Sequence, residues 1–140
     1  MLKIVKMMSL YFLAATMCEQ TVLSIPPDLL RPNAPVYYVM VSAYANHPKC
    51  TGSTRGITSS SLRITPQHCG KVIALSKDIA RQHHYGDQFQ LWVKGKVHEV
   101  AYQDNMPNHR RKSVDLLLPS ISSCMQFGRN PGVLIPLDSV

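Results

Sequence analysis

The sequence predicts a mainly β fold, a small barrel of six strands with one or two short helices. Three observations carry that expectation. β-Branched and aromatic residues recur in short clusters bounded by Gly, Pro, Asn and Ser. Two of these clusters are spaced as a hairpin, and no repeat or long helical pattern interrupts the series. The chain has 140 residues, 45% of them hydrophobic and 16% charged, which fits one globular domain and excludes a multidomain enzyme or a disordered chain.

Met1–Lys6 carries Lys3 and Lys6, and the eleven residues Met7–Met17 are uncharged and mostly apolar. This reads as a secretory signal over residues 1–24, cut before Ile25; the run is too short to span a bilayer. A lipoprotein processed at Cys18 is the alternative, opposed by Met17 where a small residue is expected. Residues 25–35 contain Pro26, Pro27, Pro32 and Pro35 and are expected to form an extended tether. The domain proper is expected over residues 36–138.

Val36–Tyr44 (VYYVMVSAY) is the first strand. Ala45–Gln67 is dominated by Ser, Thr, Gly, Pro and Asn, which predicts loops around one short strand. Val72–Leu75 reads as a buried strand, and Ser76 as the cap of a helical turn through Ile79 and Ala80. Phe89–Val93 and Lys96–Tyr102 alternate around the tight turn Lys94-Gly95 and form the hairpin. Val114–Leu118 is a further strand, Pro119-Ser120 opens a helix over Ile121–Phe127 that Gly128 ends, and Val133–Leu137 closes the chain.

The formal net charge is +7, and most of it belongs to the domain. A polyanion is the expected kind of partner: acidic wall polymer, acidic lipid or nucleic acid. Export and the scarcity of interleaved aromatics argue against nucleic acid. In an oxidising compartment Cys50, Cys69 and Cys124 would give one disulfide and one leftover thiol. Three pairings are open, and Cys50 with Cys69 is preferred because both flank one polar loop. A zinc site drawing on His68, Cys69, His83 and His84 is the alternative, unsupported by ligand spacing. No cofactor or metal is expected.

Four features follow one another in a fixed order: Val41-Ser42-Ala43-Tyr44, the turn Gly56-Ile57-Thr58-Ser59, Gly70-Lys71-Val72-Ile73-Ala74, and Asp104 and Asp115 followed by Phe127-Gly128-Arg129. This order resembles the 3D (Asp-Asp-Asp) domain of the RlpA-like double-psi β-barrels, similar to the catalytic barrel of MltA-type lytic transglycosylases. The resemblance covers most of Val36–Leu137. It implies a six-stranded double-psi β-barrel acting on peptidoglycan or another acidic wall polysaccharide, periplasmic or secreted, and expected to be a monomer without a transmembrane segment in the mature chain. Two positions depart from the pattern. The first family aspartate falls on Ser76, with Asp78 out of register, and a Gly-Gly is replaced by Asn105-Met106.

Asp115 lies in an apolar strand whose period of two sends its carboxylate away from Val114 and Leu116. Partial burial and a second carboxylate would raise its pKa and keep it protonated near neutral pH. The resemblance implies that such an acid protonates a glycosidic oxygen and then, as carboxylate, takes the proton of the muramic acid C6 hydroxyl, giving a 1,6-anhydro product. Asp104 would orient it or support charge on the sugar, the pair meeting at one mouth of the barrel. Tyr44, Thr58, Arg110 and Arg111 are the expected substrate-binding residues, the arginines through bidentate contacts to carboxylates. Two other readings are open. One is a non-catalytic barrel that binds glycans or a partner through the same groove. The other is a hydrolase in which the two aspartates divide acid and base roles.

Overall fold

The structure, a computed structural model, describes residues 25–52 and 56–137. The predicted signal, with Cys18, lies outside the described residues. Six strands close into a barrel: β1 (Tyr37–Ala45), β2 (Val72–Leu75), β3 (Gln88–Val93), β4 (Lys96–Asn105), β5 (Ser113–Leu118) and β6 (Asn130–Pro136), adjacent in the order β1-β5-β2-β4-β3-β6. The pairs β1/β5 and β2/β4 are parallel, and every other pair is antiparallel. Closure leaves no unpaired edge.

The interior is filled by one alternation of each strand, including Val41, Ile73, Leu75, Phe89, Leu91, Val114, Leu116 and Leu134. Each fully buried Leu, Ile or Phe contributes about 1.5–3 kcal/mol. The opposite alternation forms the outer wall. Part of that wall, Tyr44, Val72, Ala74 and Leu117, is buried with Ile64 and Met106 beneath the chain that links β1 to β2. In this link the expected short strand reduces to a single bridge between Ile57 and Arg63.

The helices are short: α1 (Pro48–Thr51), α2 (Lys77–Ala80) and α3 (Ile121–Phe127). In α3 the Ser120 hydroxyl accepts from the Ser123 amide, and Gly128, at φ 69°, ends the helix as its glycine predicts. Ser76 stands at the start of α2, but its buried hydroxyl accepts from the Ser113 amide, 3.0 Å away, so it ties α2 to β5 and makes no side-chain cap.

The proline-rich segment is docked, not a free tether. Pro27–Leu29 forms a 3-10 turn whose Leu29 is buried against Val133 and Ile135 on β6. The thiols also depart from expectation: Cys50, Cys69 and Cys124 are all free. Cys50 is exposed on α1, Cys69 packs against the cluster beneath the β1–β2 link, and no disulfide joins them. Among the described residues no group of three or more His, Cys, Asp or Glu is placed to hold a metal, and His68 is instead occupied by the Thr65 amide. No helix among them is long and apolar enough to cross a membrane.

Candidate functional site

Val114 and Leu116 face the interior, so Asp115 faces out. Its register partners are Ser42 on β1 and Ala74 on β2, and Ala74 is in turn paired with Asp104 on β4. Ser42, Asp115, Ala74 and Asp104 therefore form one row across four adjacent strands, with the two aspartates flanking an alanine. Two inter-strand spacings separate their backbones, about 9–10 Å. Asp104 owes its place to an irregularity. Ile73 pairs with Tyr102 but Ala74 pairs with Asp104, so Gln103 is skipped. This bulge turns Asp104 to the outer wall beside Asp115. The pair thus lies on the side of the barrel and not at its mouth, because the alternation that buries Val114, Leu116 and Tyr102 leaves the aspartates no interior position.

The two carboxylates have different surroundings. The Ser42 hydroxyl donates to Asp115 Oδ1. Burial raises the Asp115 pKa above the ordinary carboxylate value; the Ser42 hydrogen bond and the charges of Arg110 and Arg129 oppose this, while Asp104 adds to it. On Asp104, Oδ1 accepts from the Ser59 hydroxyl at 2.7 Å, the Ser59 amide at 3.0 Å and the Asn105 amide at 2.9 Å. Three donors on one oxygen suit an ionised carboxylate.

Tyr44 stands over the row. It is 8% exposed, and its buried hydroxyl lies beside Asp104. Burial first, then the charges of Asp104 and Asp115, push its pKa far above the ordinary phenol value, so it remains a hydroxyl donor. The Cys124 thiol on α3 is raised chiefly by burial and also feels Cys50, Asp115 and Cys69. One half-buried acid, one hydrogen-bonded carboxylate and a buried phenol therefore share a single wall.

Of the expected residues, the structure brings together Asp115, Asp104, Tyr44 and Arg110. Thr58 is spent elsewhere: it is buried, and its hydroxyl meets Ser60 and accepts from the Leu62 amide, which shapes the turn. Its neighbour Ser59 makes the contact with Asp104. Arg111 also departs, since its guanidinium donates to the Asn108 and Arg110 carbonyls at 2.6 and 2.8 Å and lines another groove. The Asn105–Lys112 loop is held at its far end by the Lys112 amide, which donates to Asp78 Oδ2. Burial raises the Asp78 pKa, but hydrogen bonds from Ser76, Lys112 and the local amides outweigh it and hold the carboxyl below its ordinary value. Asp78 thus anchors the loop outside the row. Ser42 and Ser59 were not singled out in the sequence; the outward phase shared by Ser42 and Tyr44 is the signal that points to the first.

No family model matches the sequence, and no curated protein matches it. Among solved structures, an expansin from Clavibacter michiganensis superposes with a TM-score of 0.56 at 13% identity, over 76% of this chain and 52% of that one. The fold is a double-psi β-barrel. A mutant of that expansin in complex with cellohexaose gives a TM-score of 0.54 at 12% identity, with the same coverage. This chain spans about half the length of the expansin. MltA from E. coli aligns at 10% identity with a TM-score of 0.46, over 65% of this chain and 30% of that one, too weak a likeness to carry an argument.

Proposed function

We propose that this chain is an exported cell-wall protein, periplasmic or secreted, that cleaves peptidoglycan glycan strands by a lytic transglycosylase-type reaction. The observation that carries the reading is Asp115: half-buried, raised in pKa, braced by Ser42 and set beside a second carboxylate on the outer face of the barrel. Asp115 in its acid form gives its proton to the glycosidic oxygen as the C1–O bond breaks. The resulting carboxylate takes the proton of the C6 hydroxyl, whose oxygen bonds to C1 and closes the anhydro ring. Asp104, held by Ser59 and Asn105, supports positive charge as it builds on the sugar. Tyr44, buried beside Asp104, holds that side of the row, and Arg110 offers a cation to the carboxylates of peptide stems. The cellohexaose complex of the expansin supports a glycan as the ligand class for a barrel of this shape.

The test is digestion of purified sacculi by the protein, with soluble products read by mass spectrometry. Anhydro-muropeptides that vanish with Asp115→Asn support the reading, and reducing-end products would replace it with hydrolysis. A second reading, glycan binding without cleavage, is favoured by the loop after Asp104: Met106 is buried and its amide bonded to Leu75 O, so the loop packs on its own barrel. Retention on sacculi without soluble product would support that one.

A further inference from the structure

A second groove, of about 800 Å³, crosses β3, β6 and β1 and shares only β1 with the row of the two aspartates. Six of the side chains that line it can form hydrogen bonds: Tyr38, Trp92, Lys94, Arg111, Lys112 and Asn130. Trp92, Lys94, Arg111 and Lys112 can only donate. No carboxylate is among the described residues that line the groove. Its cations are positioned by neutral groups. Lys94 Nζ lies 3.5 Å from the Phe127 carbonyl and 5.2 Å from the centre of the Phe127 ring, and Arg111 donates to the Asn108 and Arg110 carbonyls. A complementary occupant therefore brings acceptors and negative charge.

Strand pairing sets the aromatic and cationic residues in order. Trp92 on β3 pairs with Val133 on β6, and Val133 pairs with Tyr38 on β1. Both rings belong to the outer face, Trp92 half-buried and Tyr38 55% exposed. Two inter-strand spacings separate their backbones, about 9–10 Å. Because β1 and β3 are each antiparallel to β6, they run in one direction. Two residues beyond Trp92 is Lys94; two beyond Tyr38 is Met40, whose amide donates to the Lys112 carbonyl at 2.9 Å. The backbones of both lysines thus lie to the same side of the aromatic row, about 6–7 Å along the strands.

A polymer that matches this wall has flat apolar faces at the interval of the rings and charges along one edge. A β-1,4-linked glycan in a two-fold ribbon has that form. Successive sugars turn over, so every second sugar presents the same face and points its C5 substituent to the same edge. Where that substituent is a carboxylate, the sugars over Trp92 and Tyr38 direct their charges to the side of Lys94 and Lys112. A peptide strand finds no edge to extend, because the barrel is closed. A stacked nucleic-acid strand advances only about 3.4 Å per nucleotide, well short of the interval between the rings.

We propose that this groove binds a β-1,4-linked polyuronate. Trp92 and Tyr38 stack alternate sugars, and Lys94, Lys112 and Arg111 receive their carboxylates. The site lies on a different wall from Asp115 and Asp104, and the proposal is independent of the chemistry assigned to them.

Trp92 is the chain's only tryptophan and lines the groove, so its fluorescence reports occupancy of this wall. The full chain is titrated with β-1,4-linked oligoglucuronate, with cellohexaose as the uncharged counterpart, with α-1,4-linked oligogalacturonate as an equally charged chain of another shape, and with polyuridylate. A saturable Trp92 response to oligoglucuronate is expected, weakened by salt and tighter than with the other three. Tyr38→Ala should weaken it about tenfold through the lost apolar contact. Lys94→Asn with Lys112→Gln should weaken it by roughly tenfold as well, each exposed ion pair contributing up to about fivefold. Lys94→Asn alone keeps the test falsifiable, because Asn suits the left-handed turn position, at φ 52°, and the variant should fold and still bind less well. Asp115→Asn should retain binding, so loss of sacculus cleavage there leaves this proposal standing. No Trp92 response, an equal response to cellohexaose or oligogalacturonate, or unchanged affinity in the folded Tyr38 and Lys94 variants would overturn it. Loss of binding with Asp115→Asn would overturn it by assigning the ligand to the aspartate row, and tighter binding of polyuridylate would assign the groove to nucleic acid.

Discussion

Ser42→Ala removes the hydroxyl that donates to Asp115 Oδ1. With the charges of Arg110 and Arg129, that bond counters the rise caused by burial. A hydrogen bond to a charged group contributes about 1.5–3 kcal/mol, so its loss should lower the ionisation constant of Asp115 roughly ten- to a hundredfold. The assay is the ¹³C carboxyl shift of Asp115 followed from acid to alkaline pH. Its midpoint should move to higher pH in the variant, and the alkaline limb of any glycan-cleaving activity should move with it. The stability of the protein carries the same sign. The folded Asp115 binds its proton more tightly than the unfolded chain does, so its contribution is full below about 3.8 and is lost as pH rises through the folded value. Ser42→Ala extends that window upward, and Asp115→Asn abolishes it. A midpoint that stays in place or falls would refute the reasoning, because it would mean that the serine does not stabilise the carboxylate.

Three further outcomes are expected. Gly132→Ala places a Cβ 2.7 Å from Val41 Cγ2 and 2.8 Å from the Trp92 carbonyl, so β6 must move; the cost is about 1–3 kcal/mol, read as a fall of roughly 4–8 °C in melting temperature per kcal/mol. Adding Val41→Ala should not restore stability, because the backbone oxygen remains. His83, bonded to the Tyr37 hydroxyl at 2.9 Å, is depressed by burial, which its neighbour Asp87 partly opposes. Its contribution to stability is therefore full above about 6.5 and is lost as pH falls from there toward the depressed folded value; melting curves between pH 8 and 5 should show a slope that His83→Asn removes. Finally, alkylation followed by peptide mapping should label Cys50 first, because it is exposed, and Cys124 last, because burial raises its pKa; a native disulfide between Cys50 and Cys69 would contradict the free thiols.

What the sequence disclosed was mostly local. The hairpin of β3 and β4, the apolar strand around Asp115 and the capped helix α3 are set by neighbours a few residues apart, and composition and turn residues reveal them. The site needed non-local pairing. Ser42 acquires its role only because β1 runs parallel to β5 in a register that sets it against Asp115, 73 positions away. Thr58 and Ser59 show the limit on a finer scale, since the turn's twist decides which hydroxyl reaches Asp104 and which is consumed within the loop. Cys50 and Cys69 fail for a related reason: their spacing along the chain suggested a link, yet both are free thiols in the fold. The Pro-rich segment was read from its missing donors, whereas Leu29 decides its fate by docking on β6.

The skipped residue in β4 reaches beyond this chain. Because Gln103 has no counterpart on β2, counting along the polypeptide and counting across the sheet give different answers for which side chain stands next to the acid. The interval of eleven between the carboxylates is thus an accident of one ladder defect. A cousin whose ladder ran unbroken would need its second acid one step earlier, and a gapless alignment would pair the wrong residues. Kinship among such barrels is better judged by which wall a carboxylate occupies than by its place in a string of letters.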